Sequence, residues 1–386
     1  MKSNKIRLGE QCVVTSSKRF HLSERITQGV PFYCSKEIIK KFNGEDVTEC
    51  DYISEDLYKK VSNEFGVPKE NDLLITTRGT IGIPYLYKRT DRFYFADGNL
   101  TWIKDFDSNL YSKFLYYWFQ SYEGRKKFEA LAKGTAQKAV PISGIKTLEI
   151  ELPSLKSQKR IADILSAYDD LIENNQKQIK LLEEAAQRLY KEWFVNLRFP
   201  GHENTKIVDG VPEGWHRGTI GQIAEFKRGR TITKAQVKGG NVPVIAGGLE
   251  PAYYHNVANT KAPVITISAS GANAGFVRLY GVDVFASDCS FVDGLGTESL
   301  FFVYEFLKES KVSIDQLQKG SAQPHVYAKD INAMKITIPE KEYLERFDRY
   351  AKVYFNKIKT LQGQNERLKT TRNLLLPKLM SGEVEV

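Results

Sequence analysis

The sequence predicts an α+β fold in which two similar domains, each with a mixed sheet and helices, are separated by two long helices that form an intramolecular antiparallel coiled coil. Three observations predict this fold. The segment Lys133–Pro153 returns without a gap as Lys319–Pro339, with eight identical positions. Alternating apolar segments and an amphipathic helix occur in both copies, and a heptad pattern follows each. A repeat unit of this size is too large for a solenoid and indicates two copies of one domain.

The two copies differ in length near the middle of the domain. Near the start of each copy, Gly9 and Pro31 match Gly221 and Pro243. The difference in residue number between these pairs is larger than that between Lys133–Pro153 and Lys319–Pro339. The first copy is therefore longer by about 26 residues. Because inserted segments on a shared scaffold often carry functional differences, we expect the copies to differ here in what they recognise.

Within each copy the pattern predicts strands, then a helix, then more strand. The segments 72–77, 93–96 and 264–268 alternate or are continuously apolar, as strands do, and glycines follow them. A closing strand pair is predicted at 145–152 and 331–338. The helical core faces are predicted to consist of Phe114, Leu115, Trp118, Phe128 and Leu131 in the first copy, and of Leu300, Phe301, Tyr304, Ile314 and Leu317 in the second.

Each long helix has apolar residues that step by four and three positions in alternation, which is typical of a coiled-coil seam. The first seam is Ile161, Leu165, Tyr168, Ile172, Asn175, Ile179, Leu182, Ala186, Leu189 and Trp193, and the second is Phe347, Ala351, Tyr354, Ile358, Leu361, Asn365, Leu368, Arg372, Leu375 and Leu379. Antiparallel pairing about a pseudo-two-fold axis would place Asn175 opposite Asn365. The alternatives are that each helix packs on its own domain or that the helices dimerise with another chain.

These patterns divide the chain into a first domain (1–153), a first long helix (154–198), a linker (199–215), a second domain (216–339), and a second long helix with a C-terminal tail (340–386). Pro200-Gly201 is expected to end the first helix, and Pro377 to limit the second near its end.

The composition favours a globular, basic protein. The net charge is +9 and the pI is about 9.1, which permits a polyanionic partner. Residues 1–150 have an excess of five positive charges and residues 341–386 an excess of four, whereas 201–340 are balanced, with 14 basic and 14 acidic side chains. Any contact of the second domain with a polyanion must therefore come from local clusters.

Other protein classes are disfavoured by the sequence. No apolar run approaches the length of a membrane span and no signal peptide is recognisable, so we expect a cytoplasmic protein without membrane contact. The four cysteines form no CxxC pair and are expected to be reduced, mostly buried thiols. The five histidines are scattered, so a zinc site is not expected.

Three segments resemble the specificity (S) subunits of type I restriction-modification systems. Gln158–Asn196 resembles the central conserved region of that family. Pro212-Glu213-Gly214-Trp215, followed by Ile220-Gly221, resembles the opening of its second target recognition domain, and Leu374–Glu383 resembles its C-terminus.

The resemblance implies a non-catalytic, DNA-binding subunit whose two target recognition domains each read one half of a bipartite asymmetric site. It implies assembly with two modification (methyltransferase) subunits and with restriction-translocase subunits. The chain itself would bind no cofactor or metal, because S-adenosylmethionine, Mg and ATP would be bound by the partners. The helices would set the spacing of the half-sites and dock the methyltransferase subunits.

Residues that could contact double-stranded DNA fall into three groups in each copy: an early basic group, a turn after a strand, and a Lys-Gly loop. They are Lys18, Arg19, Thr76, Thr77, Arg78, Lys133 and Gln137 in the first copy, and Lys227, Arg228, Arg230, Ser268, Ser270, Lys319 and Gln323 in the second. The alternatives are solvated surface charge, an ordinary turn, and a glycine helix cap. Because both copies keep Lys, Gly, Ala and Gln in the loop, a shared task such as phosphate positioning is favoured there over base reading.

Two alternative functions compete with DNA recognition. An enzyme is disfavoured because the sequence has no GK dipeptide for a P-loop, no Pro-Pro pair for an adenine methyltransferase motif and no GxGxxG loop. The paired carboxylates Asp169-Asp170 and Glu183-Glu184 lie on the predicted coil, where solvation explains them. A two-domain ligand-binding or scaffold protein that does not bind DNA would also explain the repeat and the neutral second domain.

Overall fold

The computed structural model of the chain describes residues 4–134, 138–320 and 323–386. It divides into two compact units. The first unit contains Met1–Gln176 and Gln364–Val386, and the second contains Lys177–Gly363. Each unit thus holds one copy of the repeated domain together with a part of each long helix. This division differs from the sequence-derived segments, in which each long helix stands as a separate element.

The first unit contains two small sheets and a strand pair. Its strands are β1 (Asn4–Arg7), β2 (Val13–Thr15), β3 (Val30–Tyr33), β4 (Asp51–Ile53), β5 (Leu73–Thr76), β6 (Pro84–Leu86), β7 (Tyr94–Phe95), β8 (Leu100–Lys104) and β9 (Glu149–Leu152). Its helices are α1 (Ser35–Asn43), α2 (Glu55–Glu64), α3 (Ser112–Gln120), α4 (Tyr122–Glu129), α5 (Ile142–Lys146) and the first part of the long helix α6 (Leu155–Tyr190). One sheet has the antiparallel order β2-β8-β5-β6. The other has the order β4-β3-β7, in which β3 and β7 are parallel, so the predicted mixed sheet is confirmed.

The second unit repeats this topology. Its strands are β10 (Ile207–Val208), β11 (Val211–Pro212), β12 (His216–Thr219), β13 (Lys227–Arg228), β14 (Val242–Ile245), β15 (Tyr253–His255), β16 (Val264–Ser268), β17 (Val277–Tyr280), β18 (Phe285–Ala286), β19 (Cys289–Asp293) and β20 (Lys335–Ile338). Its helices are α7 (Ile220–Ile223), α8 (Leu300–Glu309), α9 (Lys311–Gln316), α10 (Ala328–Asn332) and the first part of the long helix α11 (Lys341–Ser381). The sheets have the orders β13-β19-β16-β17 and β15-β14-β18, which correspond strand for strand to those of the first unit.

The extra residues of the first copy form helices. Between β3 and β5 the chain builds α1, β4 and α2, whereas the fully described segment 246–263 of the second unit contains β15 and no helix. Helix α1 buries Ile38 and helix α2 buries Val61, so both helices pack onto the sheets. The insertion predicted from the change in offset is therefore a pair of packed helices.

The predicted closing strands are correct only in their second halves. Residues 149–152 form β9, which pairs antiparallel with β1, and residues 335–338 form β20, which pairs with β12. The first halves of both predicted strands are instead the ends of the short helices α5 and α10 and the residues that follow them. In each of these helices one isoleucine, Ile145 or Ile331, is fully buried. A single buried residue in such a short segment satisfies either period, which explains the error.

The long helices pair antiparallel in the first unit. The side-chain amide of Asn175 donates to the Asn365 side chain, with 2.9 Å between Nδ2 and Oδ1. Asp169, six residues before Asn175 on α6, accepts a hydrogen bond from Arg372, seven residues after Asn365 on α11. One residue number rises as the other falls, so the helices run in opposite directions. The predicted pairing of the two asparagines is confirmed.

The same pairing continues inside the second unit. Trp193 near the end of the first long helical segment contacts Phe347 near the beginning of α11, with ring centroids 6.2 Å apart. Ala186 and Ala351 are fully buried in the same core. All predicted seam positions on both helices are buried or half-buried. The seams therefore face the interior in each unit.

The helix ends differ slightly from the prediction. Helix α6 passes into a π-helical turn, Lys191–Val195, and this turn ends before Pro200-Gly201. Helix α11 continues through Pro377 to Ser381. The predicted core faces of the shorter helices lie on α3, α4, α8 and α9, where Phe114, Phe128 and Leu300 are buried.

Two further predictions concern the whole chain. The four cysteine thiols are free, with Cys12 and Cys289 buried and Cys34 and Cys50 half-buried, so the predicted burial holds for two of the four. Within the described ranges, the helices are too short or too polar to cross a membrane.

Candidate nucleic-acid interface

The Lys-Gly loop of the first unit packs along the turn that follows β5. Lys133 and Ala139 exchange two backbone hydrogen bonds, with N to O distances of 2.8 and 3.0 Å, which join the two ends of the loop. Val140 N then donates to Thr77 O at 2.9 Å. Two segments that are distant in the sequence are thereby joined at one edge of the unit.

The second unit repeats this arrangement bond for bond. Lys319 and His325 exchange two backbone hydrogen bonds of 2.9 and 2.8 Å, and Val326 N donates to Ala269 O at 3.0 Å. Ala269 occupies the place of Thr77, between Ser268 and Ser270. The repeat seen in the sequence is therefore a repeat of tertiary hydrogen bonds, and it defines equivalent positions in the two units.

Glycines fix these two loops. Gly134 and Gly320 both have φ of 98°, and Gly79 and Gly271 have φ of 73° and 81°. This left-handed region strains any residue with a Cβ atom, so glycine is favoured at all four positions. A Cβ atom on Gly79 or Gly271 would meet no atom within 4 Å, which means that the tips of both turns are open.

In the turn after β5, Arg78 is the candidate with an exposed side chain. Thr76 is fully buried, and its hydroxyl accepts a hydrogen bond from Ile83 N at 2.9 Å. Thr77 is 3% exposed, and its backbone N donates to Asn99 O at 2.9 Å. Both threonines hold the turn in place, while the Arg78 guanidinium has no ion-pair partner among the described residues.

In the second unit both serines use their hydroxyls internally. Ser268 is 4% exposed and its hydroxyl donates to Gly247 O at 3.1 Å. Ser270 is half-buried and donates to the carboxylate of Asp288. The two positions that the sequence suggested as hydroxyl contacts are thus committed to the fold.

The lysines of the two loops are exposed and differ in their surroundings. Lys319 forms an ion pair with Asp330, with 2.8 Å between Nζ and Oδ2, whereas Lys133 has no such partner in the described ranges. Gln323 is exposed. Gln137, its predicted counterpart, lies outside the described residues.

The early basic groups lie beside the same edges. In the second unit Gly229 N donates to Cys289 O and Arg230 N to Ala286 O, so the exposed side chains of Lys227, Arg228 and Arg230 follow the segment 286–289. Within that segment Asp288 O accepts from Ala269 N, which belongs to the turn after β16. The basic group and the turn are thus held by the same short segment.

The first unit uses the equivalent segment, 97–99. Arg19 forms an ion pair with Asp97, with 2.8 Å between Nε and Oδ2, and Asn99 O accepts from Thr77 N. Lys18 lines a cavity of about 520 Å³ and its ammonium lies 4.9 Å from the ring centre of Phe65, directly after α2. The inserted helix therefore shapes the surroundings of the basic group in this unit.

All three predicted groups thus come together at one edge in each unit. Among the candidates chosen from the sequence, the exposed cations at these edges are Lys18, Arg19, Arg78 and Lys133 in the first unit and Lys227, Arg228, Arg230 and Lys319 in the second. Such a concentration of cations around open, glycine-containing turns suits a polyanion approached by backbone and side chains together. The second unit has this concentration of cations although its basic and acidic side chains balance overall.

The comparison with known proteins identifies the family. The profile of the family described as the type I restriction modification DNA specificity domain matches residues 3–184 and 212–370. The chain belongs to this family. Both matched stretches contain one copy of the repeat, so this is a specificity subunit with two DNA specificity domains.

Individual relatives agree with this assignment. The chain is 27% identical over 300 residues to the type I restriction enzyme MjaIX specificity subunit of Methanocaldococcus jannaschii, a match that covers 71% of this chain and 69% of that protein. It is 26% identical over 327 residues to a putative type I specificity subunit of Mycoplasma genitalium, covering 82% of each. The crystal structure of a type I restriction-modification S subunit from M. genitalium superposes with a TM-score of 0.64 at 19% identity and covers 98% of this chain and 96% of that one, which confirms the fold.

Sequence reasoning missed one partly exposed group at the candidate interface of the specificity subunit. His325, Tyr327 and Lys329 follow the Lys-Gly loop in the second unit, and Tyr327 is 43% exposed. At the first two of the equivalent positions the first unit has Ala139 and Pro141. The alignment of the two copies contains this difference, but the identical positions alone do not point to it.

Proposed function

We propose that this specificity subunit is the non-catalytic DNA-reading component of a type I complex, in which each unit reads one half of a bipartite asymmetric site. The observation that carries the proposal is the repeated edge at which a basic group, a turn and a Lys-Gly loop meet. The shared backbone supports a shared mode of DNA contact, and the different side chains support two unlike half-sites.

The remaining components of the reaction belong to partners in this proposal. Two modification subunits bind S-adenosylmethionine and methylate the DNA, while restriction-translocase subunits use ATP and Mg. The paired helices dock the modification subunits and set the spacing between the half-sites. What supports this division is the antiparallel helix pair, whose exposed faces leave room for further subunits, and the lack of catalytic motifs in the sequence.

Mapping of methylated adenines tests the proposal. The chain is expressed with its modification partner in a host without other adenine methyltransferases, and the methylated positions are read by single-molecule sequencing. We expect one bipartite motif with two unlike halves and a fixed gap. Methylation of a continuous motif, or an unchanged motif after the chain is replaced by another specificity subunit, would contradict it.

Salt dependence separates the proposal from the alternative of a scaffold that does not bind DNA. The purified complex with the modification subunits should lose DNA affinity steeply as salt rises, because each phosphate contact releases counterions. Removing an edge cation, as in Lys133→Gln, should reduce the slope of log affinity against log salt by about one. A flat titration of the intact complex would favour the scaffold.

A further inference from the structure

The hydrogen bonds of the two edges align the units residue by residue, so their side chains can be compared at equivalent positions. Some positions are the same in both units: Lys133 and Lys319, Gly134 and Gly320, and Gly79 and Gly271. Others differ in chemistry: Arg78 and Ser270, Ala139 and His325, Pro141 and Tyr327, and Ser143 and Lys329. The shared backbone can position both units on DNA, whereas side chains that specify unlike half-sites must be among those that differ.

In the second unit the differing side chains form an ordered group. The rings of His325 and Tyr327 stack with centroids 6.0 Å apart and an interplanar angle of 15°. The ammonium groups of Lys319 and Lys329 each lie 5.9 Å from the Tyr327 ring centre. Lys319 also forms an ion pair with Asp330. The exposed Tyr327 ring is therefore held by its neighbours, and little side-chain entropy remains to be lost on binding.

In the first unit the equivalent positions have no comparable functional groups. Ala139 and Pro141 carry no side-chain hydrogen-bond donor. Arg78 is exposed and carries five donors in a planar fork, which matches the two acceptors of a guanine edge. Its counterpart Ser270 is tied to Asp288. The two units thus place their available donors at different points of the same scaffold.

We propose that Tyr327, flanked by His325 and Lys329, contacts base edges of the half-site read by the second unit, and that Arg78 does so for the first unit. This inference rests on the proposed function and assigns the reading of each half to particular side chains. The ligand is a base edge of duplex DNA, read through the phenol, imidazole and ammonium donors in one unit and the guanidinium in the other. Lys133 and Lys319 instead hold phosphates in both units.

The test compares single variants in the complex with the modification subunits. Arg78→Ser introduces the residue of the other unit, and Tyr327→Ala removes the exposed ring. Arg78→Ser should reduce discrimination at one or more positions of the first half-site by about 10-fold or more and leave the second half-site unchanged. Tyr327→Ala should do the reverse. Discrimination is measured as relative methylation of oligonucleotides that carry each single-base change.

Controls separate base reading from a folding defect. Tyr327→Phe keeps the ring and removes the hydroxyl, so it should alter fewer positions of the second half-site than Tyr327→Ala. Tyr254→Ala removes another exposed tyrosine of the second unit, on β15, and should leave both half-sites intact. Lys319→Gln should weaken binding about equally for every sequence.

The outcomes are distinguishable. Three results would overturn the assignment of these side chains. Base discrimination could be lost only in the opposite half-site, or be lost equally in both half-sites. The third result is full discrimination by Arg78→Ser and Tyr327→Ala complexes that still methylate DNA. A wild-type complex that methylates no bipartite site would overturn the proposed function and this inference with it.

Discussion

Replacing Asn175 by leucine should leave the first unit no more stable than the wild type, because it removes half of a buried pair and leaves the other half in place. The two side chains are 7% and 5% exposed, and the amide of Asn175 donates to Asn365 at 2.9 Å. Gln364 Oε1 is a second acceptor for the same nitrogen at 3.4 Å, so it cannot replace the donor that Asn365 loses. After the change, the Asn365 carbonyl oxygen has lost its donor in a seam that excludes water.

The magnitude follows from two opposing effects. A buried polar group without a partner costs about 1–3 kcal/mol. Burying a leucine in place of an amide contributes up to about 1.5–3 kcal/mol in the opposite direction, but only where the neighbours pack against it. The single variants Asn175→Leu and Asn365→Leu should therefore lie at or below the stability of the wild type. The double variant, with an apolar pair, should be neutral or more stable. The coupling energy between the two positions should be about 1–3 kcal/mol.

Urea unfolding of the wild type, both single variants and the double variant measures this coupling as a double-mutant cycle. Circular dichroism in the far ultraviolet follows the helices. The matched control is Asn174→Leu, the same substitution at the exposed neighbouring position, which should change the free energy of unfolding by less than about 0.5 kcal/mol. If the two single effects simply add up in the double variant, the coupling energy is zero and the amide pair does not act as a unit.

Three further perturbations test other parts of the molecule. Arg372→Met removes the ion pair with Asp169 and leaves that carboxylate with the Tyr117 hydroxyl, at 2.6 Å. It should lower the free energy of urea unfolding by about 1–2 kcal/mol. No change would mean that solvent fully screens the pair and would contradict this prediction. Burial raises the pKa of Glu305 to about 8 from an ordinary value of 4.5. The stability that this group contributes to the second unit should therefore be fully present below about pH 4.5, fall by about 1.4 kcal/mol per pH unit above that, and be lost as pH rises through about 8. Glu305→Gln should flatten the dependence of the melting temperature on pH, and an unchanged slope would contradict this. Deleting four residues at facing positions of both α6 and α11 should change the gap of the methylated site and keep both half-sites, whereas altered half-sites with an unchanged gap would contradict the spacer role of the helices.

The helix pair was predictable to the level of a single hydrogen bond. A seam that steps by four and three residues fixes which face of each helix is buried, and one asparagine in each seam fixes the register. The pairing of Asn175 with Asn365 required no knowledge of the rest of the molecule. Long periodic segments give this information because many residues report the same face.

Short segments were predicted less accurately than the long helices. The ends of helices α5 and α10 were predicted as the beginnings of strands, because one buried isoleucine in a short segment fits a period of two as well as a period of 3.6. The insertion was located by the change in offset, but its content of two packed helices was not predicted. A length difference reports that residues are added, and it does not report how they fold.

The candidate interface was predicted in its parts and not in its assembly. The basic groups, turns and Lys-Gly loops were chosen separately, and their junction depends on backbone hydrogen bonds such as that from Val140 to Thr77. The backbone of every residue offers the same groups, so no side-chain pattern marks these bonds. For the same reason the sequence could not distinguish the exposed Arg78 from Thr76, whose hydroxyl is used within the fold.

The separation of backbone and side-chain tasks at these edges explains how two unlike half-sites can be read by one duplicated domain. Gly134 and Gly320 hold the same backbone angle, and the loop closes through main-chain bonds in both units. A substitution at a half-buried position such as 139 or 325 leaves these backbone bonds in place, so it changes the side chains at the edge without changing the backbone that holds them. Buried residues of the turn lack this freedom, because Thr76 and Ser268 bond to their own scaffold. Specificity is therefore expected to diverge at the exposed side chains around the loop, while stability depends on the residues beneath it.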